Sequence, residues 1–203
     1  GIVTVLTLVY GVLTWQRCQV WKSGMTMWSD VIEKSQTVAL AYNNRGVLYN
    51  ERGQKQLDSL KVDPSYRQKA NANFTHAISD LDNALRLNNK DTQAWSNRGL
   101  AYWRMGVLDS AVANLNRAVT IDPNYAVAWS NMGSVLFSMN RSEDALHAYE
   151  KAVAANPSFA DAWYNIGIMK YNTNRKAEGC EALHQAAALG MQHASDAVRD
   201  LCK

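Results

Sequence analysis

Apolar and small positions in this chain repeat at a long interval as well as at helical spacing. The stretch AWSNRG at 94–99 returns as AWSNMG at 128–133 and as AWYNIG at 162–167, so Trp95, Trp129 and Trp163 are 34 residues apart. Gly99, Gly133 and Gly167 travel with them, as do Ala111 with Ala145, and Ala118 with Ala152 and Ala186. Pro123 and Pro157 close the first two units. An active site gathers unlike groups at one point, whereas like groups at a fixed period lie along an axis, so the pattern predicts architecture before chemistry. Small residues at Gly99 and Ala111 let two antiparallel helices approach, and Trp95 and Leu115 are expected to fill the space between successive units. Each unit then reads as a helical hairpin. Asp109, Ser142 and Asn174 lie near the starts of second helices, and Gly106 suits a left-handed position after a first helix. Asp122-Pro123 and Asn156-Pro157 stop one hairpin before the next begins. One hairpin cannot bury its own apolar stripe, so the units must stack.

The same register extends toward the N-terminus. Tyr42, Gly46 and Tyr49 read as a first helix and Ala77, Leu81 and Ala84 as its second, but Tyr42 to Trp95 is 53 residues, one period plus 19. The excess falls between Glu51 and Phe74, where Asp63-Pro64 offers an N-cap and a first-turn proline. Both helices are therefore expected to be lengthened into a protruding hairpin, with a loop as the alternative. Trp28 stands 14 residues ahead of Tyr42, as Leu81 does of Trp95, so the region from Met25 to Lys34 reads as an unpaired second helix. At the other end Lys170, Gly179 and Met191 stand where the unit of Trp95 has Tyr102, Ala111 and Pro123. Leu189-Gly190 reads as a helix stop, and Ala194, Ala197, Val198 and Leu201 give a short amphipathic cap.

Spacing, small residues and terminators together resemble the tetratricopeptide repeat, whose 34-residue unit reads W-x2-L-G-x2-Y, then A-x3-F, then P. The resemblance implies an all-α fold, a right-handed superhelical stack of about four helix-turn-helix hairpins with a C-terminal capping helix. On this reading 39–90 is the first repeat with an inserted hairpin at 54–72. Residues 91–124, 125–158 and 159–190 are the next three, 191–203 is the cap, and 17–38 is a juxtamembrane linker with a half-repeat helix. In such arrays the first helices line a concave groove that takes a protein or peptide partner. The positions facing it would be Trp103, Phe137 and Tyr171, eight after each tryptophan, either as a ladder for a peptide or as packing against a neighbouring helix. Asn97, Asn131 and Asn165 recur on the same helices, as does Asn44 in the first repeat, either for ligand contact or as helix-bracing hydrogen bonds. A lysine-rich carboxylate clamp is not expected, because Asn43, Ser96, Ser130 and Tyr164 stand where it would need lysine, leaving Arg104 as the main cation of that face. Arg45 and Arg98, which replace the usual leucine, read as structural ion pairs or as side chains snorkelling along the helix.

Residues 1–16, GIVTVLTLVYGVLTWQ, carry no charge. As a helix they would span ~24 Å, short of the roughly 30 Å hydrocarbon core, so they read as the end of a transmembrane helix that began earlier. Tyr10, Trp15 and Trp21 with Arg17 and Lys22 then form an interfacial belt. An apolar helix packed on the protein itself is the alternative.

A balance of 21 basic against 18 acidic residues is too even for an electrostatic nucleic-acid binder. Cys18, Cys180 and Cys202 form no CxxC pair and read as buried small apolar side chains, leaving the redox compartment open. His76, His147, His184 and His193 have no metal-ligand spacing, and no phosphate loop or nucleophile elbow occurs. Asp80 with Asp82, Glu143 with Asp144, and Glu178 with Glu181 read as solvated helix faces. No catalysis, metal or cofactor is expected of this chain.

The junction TWQRCQVWKSGMTMWSDVIEKS, residues 14–35, resembles the passage from the last membrane helix into the repeats of multi-pass proteins related to protein O-mannosyltransferases, through Arg17, Trp21, Lys22, Trp28 and the VIEK at 31–34. That resemblance implies the non-catalytic C-terminal domain of a membrane glycosyltransferase, facing the periplasm or lumen. A membrane-tethered scaffold and a structural subunit of a larger membrane complex are the other readings.

Overall fold

The structure, a computed structural model, describes residues 21–59, 63 and 65–202. These contain ten α-helices and no strand. They divide into two compact units, one ending at Asn89 and the other starting at Lys90. No helix among the described residues is long and apolar enough to cross a membrane. The uncharged run 1–16, read above as a membrane helix, lies outside them.

The first unit holds α1 (Gly24–Lys34), α2 (Ala39–Asp58) and α3 (Tyr66–Leu87). Ser23 and Thr26 form a capping box that sets the start of α1, the Ser23 side chain accepting from the Thr26 amide and the Thr26 hydroxyl from the Ser23 amide. The indole N–H of Trp21 donates to Asp30 Oδ2 at 3.0 Å, and Lys34 also pairs with Asp30. Helices α2 and α3, of 20 and 22 residues, pair as a hairpin longer than those that follow. Tight contact is possible because Gly46 has no side chain. A Cβ there would lie 2.9 Å from Leu81 and 3.3 Å from the Ala77 carbonyl.

Two expectations for this unit are corrected. Asp80 is not on a solvated face: it is buried and takes two hydrogen bonds of 2.7 Å from the Arg45 guanidinium, whose Nη1 also reaches Ser29. Asp63 does not cap α3. The helix begins at Tyr66, and Asp63 instead accepts from the amide and hydroxyl of Ser65 in a local turn, which holds its carboxyl below the usual range. Two residues on, Ser65 occupies the cap position in a helical conformation and makes no side-chain cap bond.

The second unit is three hairpins and a cap: α4 (Thr92–Arg104) with α5 (Leu108–Ile121), α6 (Ala126–Ser138) with α7 (Ser142–Ala155), α8 (Ala160–Asn172) with α9 (Lys176–Ala188), then α10 (Gln192–Leu201). Each turn between paired helices is closed in one way. The Gly106, Asn140 and Asn174 amides donate to the carbonyls three residues back, and the next amides to those five back, a Schellman motif. All three residues have positive φ, at 81°, 59° and 64°. Asn174 is thus the left-handed end of α8 and not the start of α9, because asparagine tolerates that conformation when glycine is absent. Between hairpins, Asp122 and Asn156 accept from the amides two residues on, at 2.9 and 3.0 Å. The recurring tryptophans complete these loops: Trp129 and Trp163 donate their indole N–H to the Pro123 and Pro157 carbonyls at 2.8 and 2.9 Å.

Leu115 packs inside its own hairpin and also belongs to a core continuous with the next one. It is fully buried against Gly99, where an added Cβ would lie 2.8 Å from it. Tyr149 and Leu183 stand in the same relation to Gly133 and Gly167. Gly179, where the period calls for alanine, has its own reason: a Cβ would lie 2.7 Å from the Tyr171 amide and 2.8 Å from the Gly167 carbonyl. The cysteines also differ from expectation. Cys180 in α9 is joined to Cys202, just beyond α10, by a disulfide. Cys18 lies outside the described residues.

Candidate functional site

The first helices α4, α6 and α8 carry Trp103, Arg104, Phe137, Tyr171, Asn97, Asn131 and Asn165, while Asn44 lies on α2 of the first unit. Regular spacing gives them one register, but their neighbours give them different environments. Trp103 is half-buried against the core, donates its indole N–H to Ser138 Oγ at 2.9 Å, and has the Arg104 guanidinium over its ring at 4.4 Å. Tyr171 is half-buried with Lys176 over its ring at 5.5 Å. Phe137 is 56% exposed. The three do not form a uniform ladder: one is fastened, one is shielded and one is open.

Asparagines at the second recurring position divide similarly. Asn131 donates to Ser96 Oγ at 3.3 Å and so braces α6 against α4. Asn165 makes no such bond among the described residues, although Ser130 holds the position equivalent to Ser96. Asn97 is half-buried in α4. Arg98, one residue on, donates to Asn114 Oδ1 at 2.7 Å and lies over the Trp95 ring at 4.5 Å. The arginine is thereby tied into its own hairpin.

Phe137 and Asn165 meet at a cleft of about 190 Å³, walled also by Ile168, Met169, Asn172 and Tyr149. Its lining carries no charge. Burial pushes the Tyr149 phenol above its ordinary value, partly offset by its hydrogen bond with Ser134 at 3.0 Å, so the ring stays neutral. Asn165 and Asn172 are seven residues apart on α8 and neither amide is bonded among the described residues. Seven residues of helix rise ~10.5 Å, close to three residues of an extended chain at roughly 3.3 Å each. Apolar walls with two free amides at that interval can take an apolar side chain while hydrogen-bonding the peptide groups on either side. Spacing in the sequence marks Phe137 and Asn165; Ile168 and Asn172, three and seven residues beyond Asn165, share its face of α8 at helical spacing but carry no repeat signal.

Ion pairs of this unit lie elsewhere. Lys170 bridges Glu150 at 3.1 Å and Glu178 at 3.5 Å, joining successive hairpins. Glu178 also pairs with Arg175 at 2.6 Å, and its carboxyl is held down to about 2, chiefly by the Arg175 hydrogen bond and then by the charges of Arg175 and Lys170. Glu178 is exposed but engaged, which amends its reading as merely solvated. No group of three or more histidine, cysteine or acidic residues among those described could hold a metal ion.

Hairpins repeated in this way with an open face on their first helices make this an α-helical repeat protein. Two overlapping matches to family descriptions, both tetratricopeptide repeat, cover residues 91–158 and 131–194. Together they span about half of the chain, which belongs to the tetratricopeptide-repeat family. Solved structures agree on the fold. A crystal structure of MamA matches with TM-score 0.63 and 20% identity, covering 84% of this chain and 89% of that one. YrrB, described as a TPR protein with an unusual peptide-binding site, matches with TM-score 0.53 and 19% identity over 86% of this chain and 98% of its own. MamA from Desulfovibrio magneticus RS-1 matches with TM-score 0.51 and 24% identity, over 71% and 75%. No curated protein matches the chain.

Proposed function

We propose that the chain is a protein-binding scaffold whose partner lies along α4, α6 and α8, with an apolar side chain held in the cleft beside Phe137. The observation that carries this is a large aromatic ring 56% exposed over a neutral cleft with two unbonded amides on one helix face. Trp103 and Arg104 would extend the contact toward α4, and Tyr171 toward the cap. No enzyme family is indicated by the matches.

Residues 1–16 tether the scaffold to a membrane, and the repeats face away from the cytoplasm. Support for the tether is their uncharged sequence, and for the side, the junction at 14–35 that resembles O-mannosyltransferase-related membrane proteins. That junction also supports a second reading, in which the repeats hold or present a substrate protein for a membrane glycosyltransferase.

The test is recovery of bound proteins with the full chain from detergent-solubilised membranes, comparing wild type with Phe137→Ala and Asn165→Ala. Binding should fall at least tenfold for Phe137→Ala with the melting temperature unchanged, in the range of an interface hot spot. Undiminished recovery with both variants would refute the cleft as the binding site. A chain that stays in the soluble fraction without detergent would refute the tether.

A further inference from the structure

We propose that the Cys180–Cys202 disulfide is the fastening of the terminal cap, so that α10 stays closed on α9 in an oxidising compartment and opens on reduction. Helix α10 has 10 residues and no side-chain N-cap bond, below the roughly 12–15 at which an isolated helix becomes even marginally stable in water. Its packing does little to compensate. Ala194 is its one fully buried residue, while Ala197, Val198 and Leu201 are half-buried. At its near end the cap is held by the turn at Gly190, whose φ of 88° lets the chain reverse after α9. Its far end has Cys202, one residue past the helix, bonded to Cys180 in the first half of α9. The 22-residue separation of the two cysteines therefore encloses the whole of α10 and ties it at both ends.

Reduction removes one of these two ties. A dithiol such as dithiothreitol attacks one sulfur as its thiolate, the other sulfur leaves as a thiolate and is protonated, and the second reductant thiol displaces the first cysteine. Two electrons and two protons end on Cys180 and Cys202, and the reductant becomes its own disulfide. The cap is then an end helix attached by a single turn, and its fraying uncovers the side of α9 on which it rests. Such bonds persist where thiols are not kept reduced, which places the repeats in an oxidising compartment without reference to the junction sequence.

The experiment has two arms on the full chain. In intact cells that make the protein, a thiol-alkylating reagent followed by mass spectrometry should label Cys180 and Cys202 only after reductant is added. On purified protein, hydrogen exchange at 192–201 should accelerate on the order of 100-fold with dithiothreitol, as expected for losing a loop closure of this length. Exchange in α6 should not change. Cys202→Ser without reductant should reproduce the accelerated exchange. Alkylation of both cysteines in cells before reduction, or equal exchange at 192–201 in both states, would overturn the proposal.

Discussion

The same position in the hairpin holds an ion pair in the first unit and a polar or an apolar pair in the second. In the first unit Arg45 on α2 meets Asp80 on α3 as a bidentate pair of low exposure. At the corresponding positions in the first hairpin of the second unit, the Arg98 guanidinium donates to the neutral amide of Asn114. In the next two hairpins the pair becomes Met132 with Ala148, then Ile166 with Ala182, all buried. One backbone frame thus accepts an ion pair, a polar pair or an apolar pair. The difference lies in what each demands of its partner: an apolar residue needs volume, whereas a buried carboxylate needs a cation in one geometry.

The largest test of that contrast is Asp80→Ala, which leaves the arginine without its carboxylate. It should cost about 3–5 kcal/mol, measured by denaturant unfolding of the full chain. The double change Arg45→Met with Asp80→Ala installs the Met132–Ala148 pair of the second unit's middle hairpin and should restore most of the loss. A double variant as unstable as the single one would show that the ion pair is not interchangeable with apolar packing here.

Glycine contacts should matter in both units alike. Gly46→Ala and Gly167→Ala each place a Cβ within 3 Å of a leucine branch, at 2.9 and 2.7 Å, and should destabilise by about 1–3 kcal/mol in thermal melts. A neutral result at Gly167 would mean that α8 and α9 can separate without loss, against the reading of Gly179 as a second close approach.

Buried and exposed apolar side chains should differ just as clearly. Leu115→Ala in the hairpin core should cost about 2–5 kcal/mol. Phe137→Ala should change stability by no more than about 0.5 kcal/mol, since its ring is mostly in solvent.

The smallest effect is on titration. Because the Glu178 carboxyl titrates at about 2 when folded, its contribution to stability is complete above the unfolded carboxylate range near ~4.3 and is lost as pH falls toward about 2. Arg175→Ala should move that titration up toward the ordinary carboxylate value, read by NMR. No movement would place the cause in Lys170 instead.

The period made the hairpins of the second unit legible, since tryptophan, glycine and proline each have one structural task that recurs every 34 residues. What remained hidden depends on partners far along the chain. Asp80 and Asp82 look alike in sequence, and only Arg45, on another helix, decides which one is buried. The disulfide left no signal because two cysteines 22 residues apart bond only once α10 folds back on α9. Trp103, Phe137 and Tyr171 share a register but differ in exposure: Ser138 and Arg104 engage the first, whereas no side chain among the described residues bonds or stacks on the second. The open site at Phe137 is therefore a product of local neighbours and not of the period.

A partner protein lying on that face should be within reach of a probe at Phe137. A photo-reactive amino acid at position 137, irradiated in cells making the full chain, tests it most directly, with a second probe at the exposed Lys151 of α7 as comparison. A discrete cross-linked protein should form from position 137 and be absent from 151. Equal labelling from both positions, or none from 137, would contradict it.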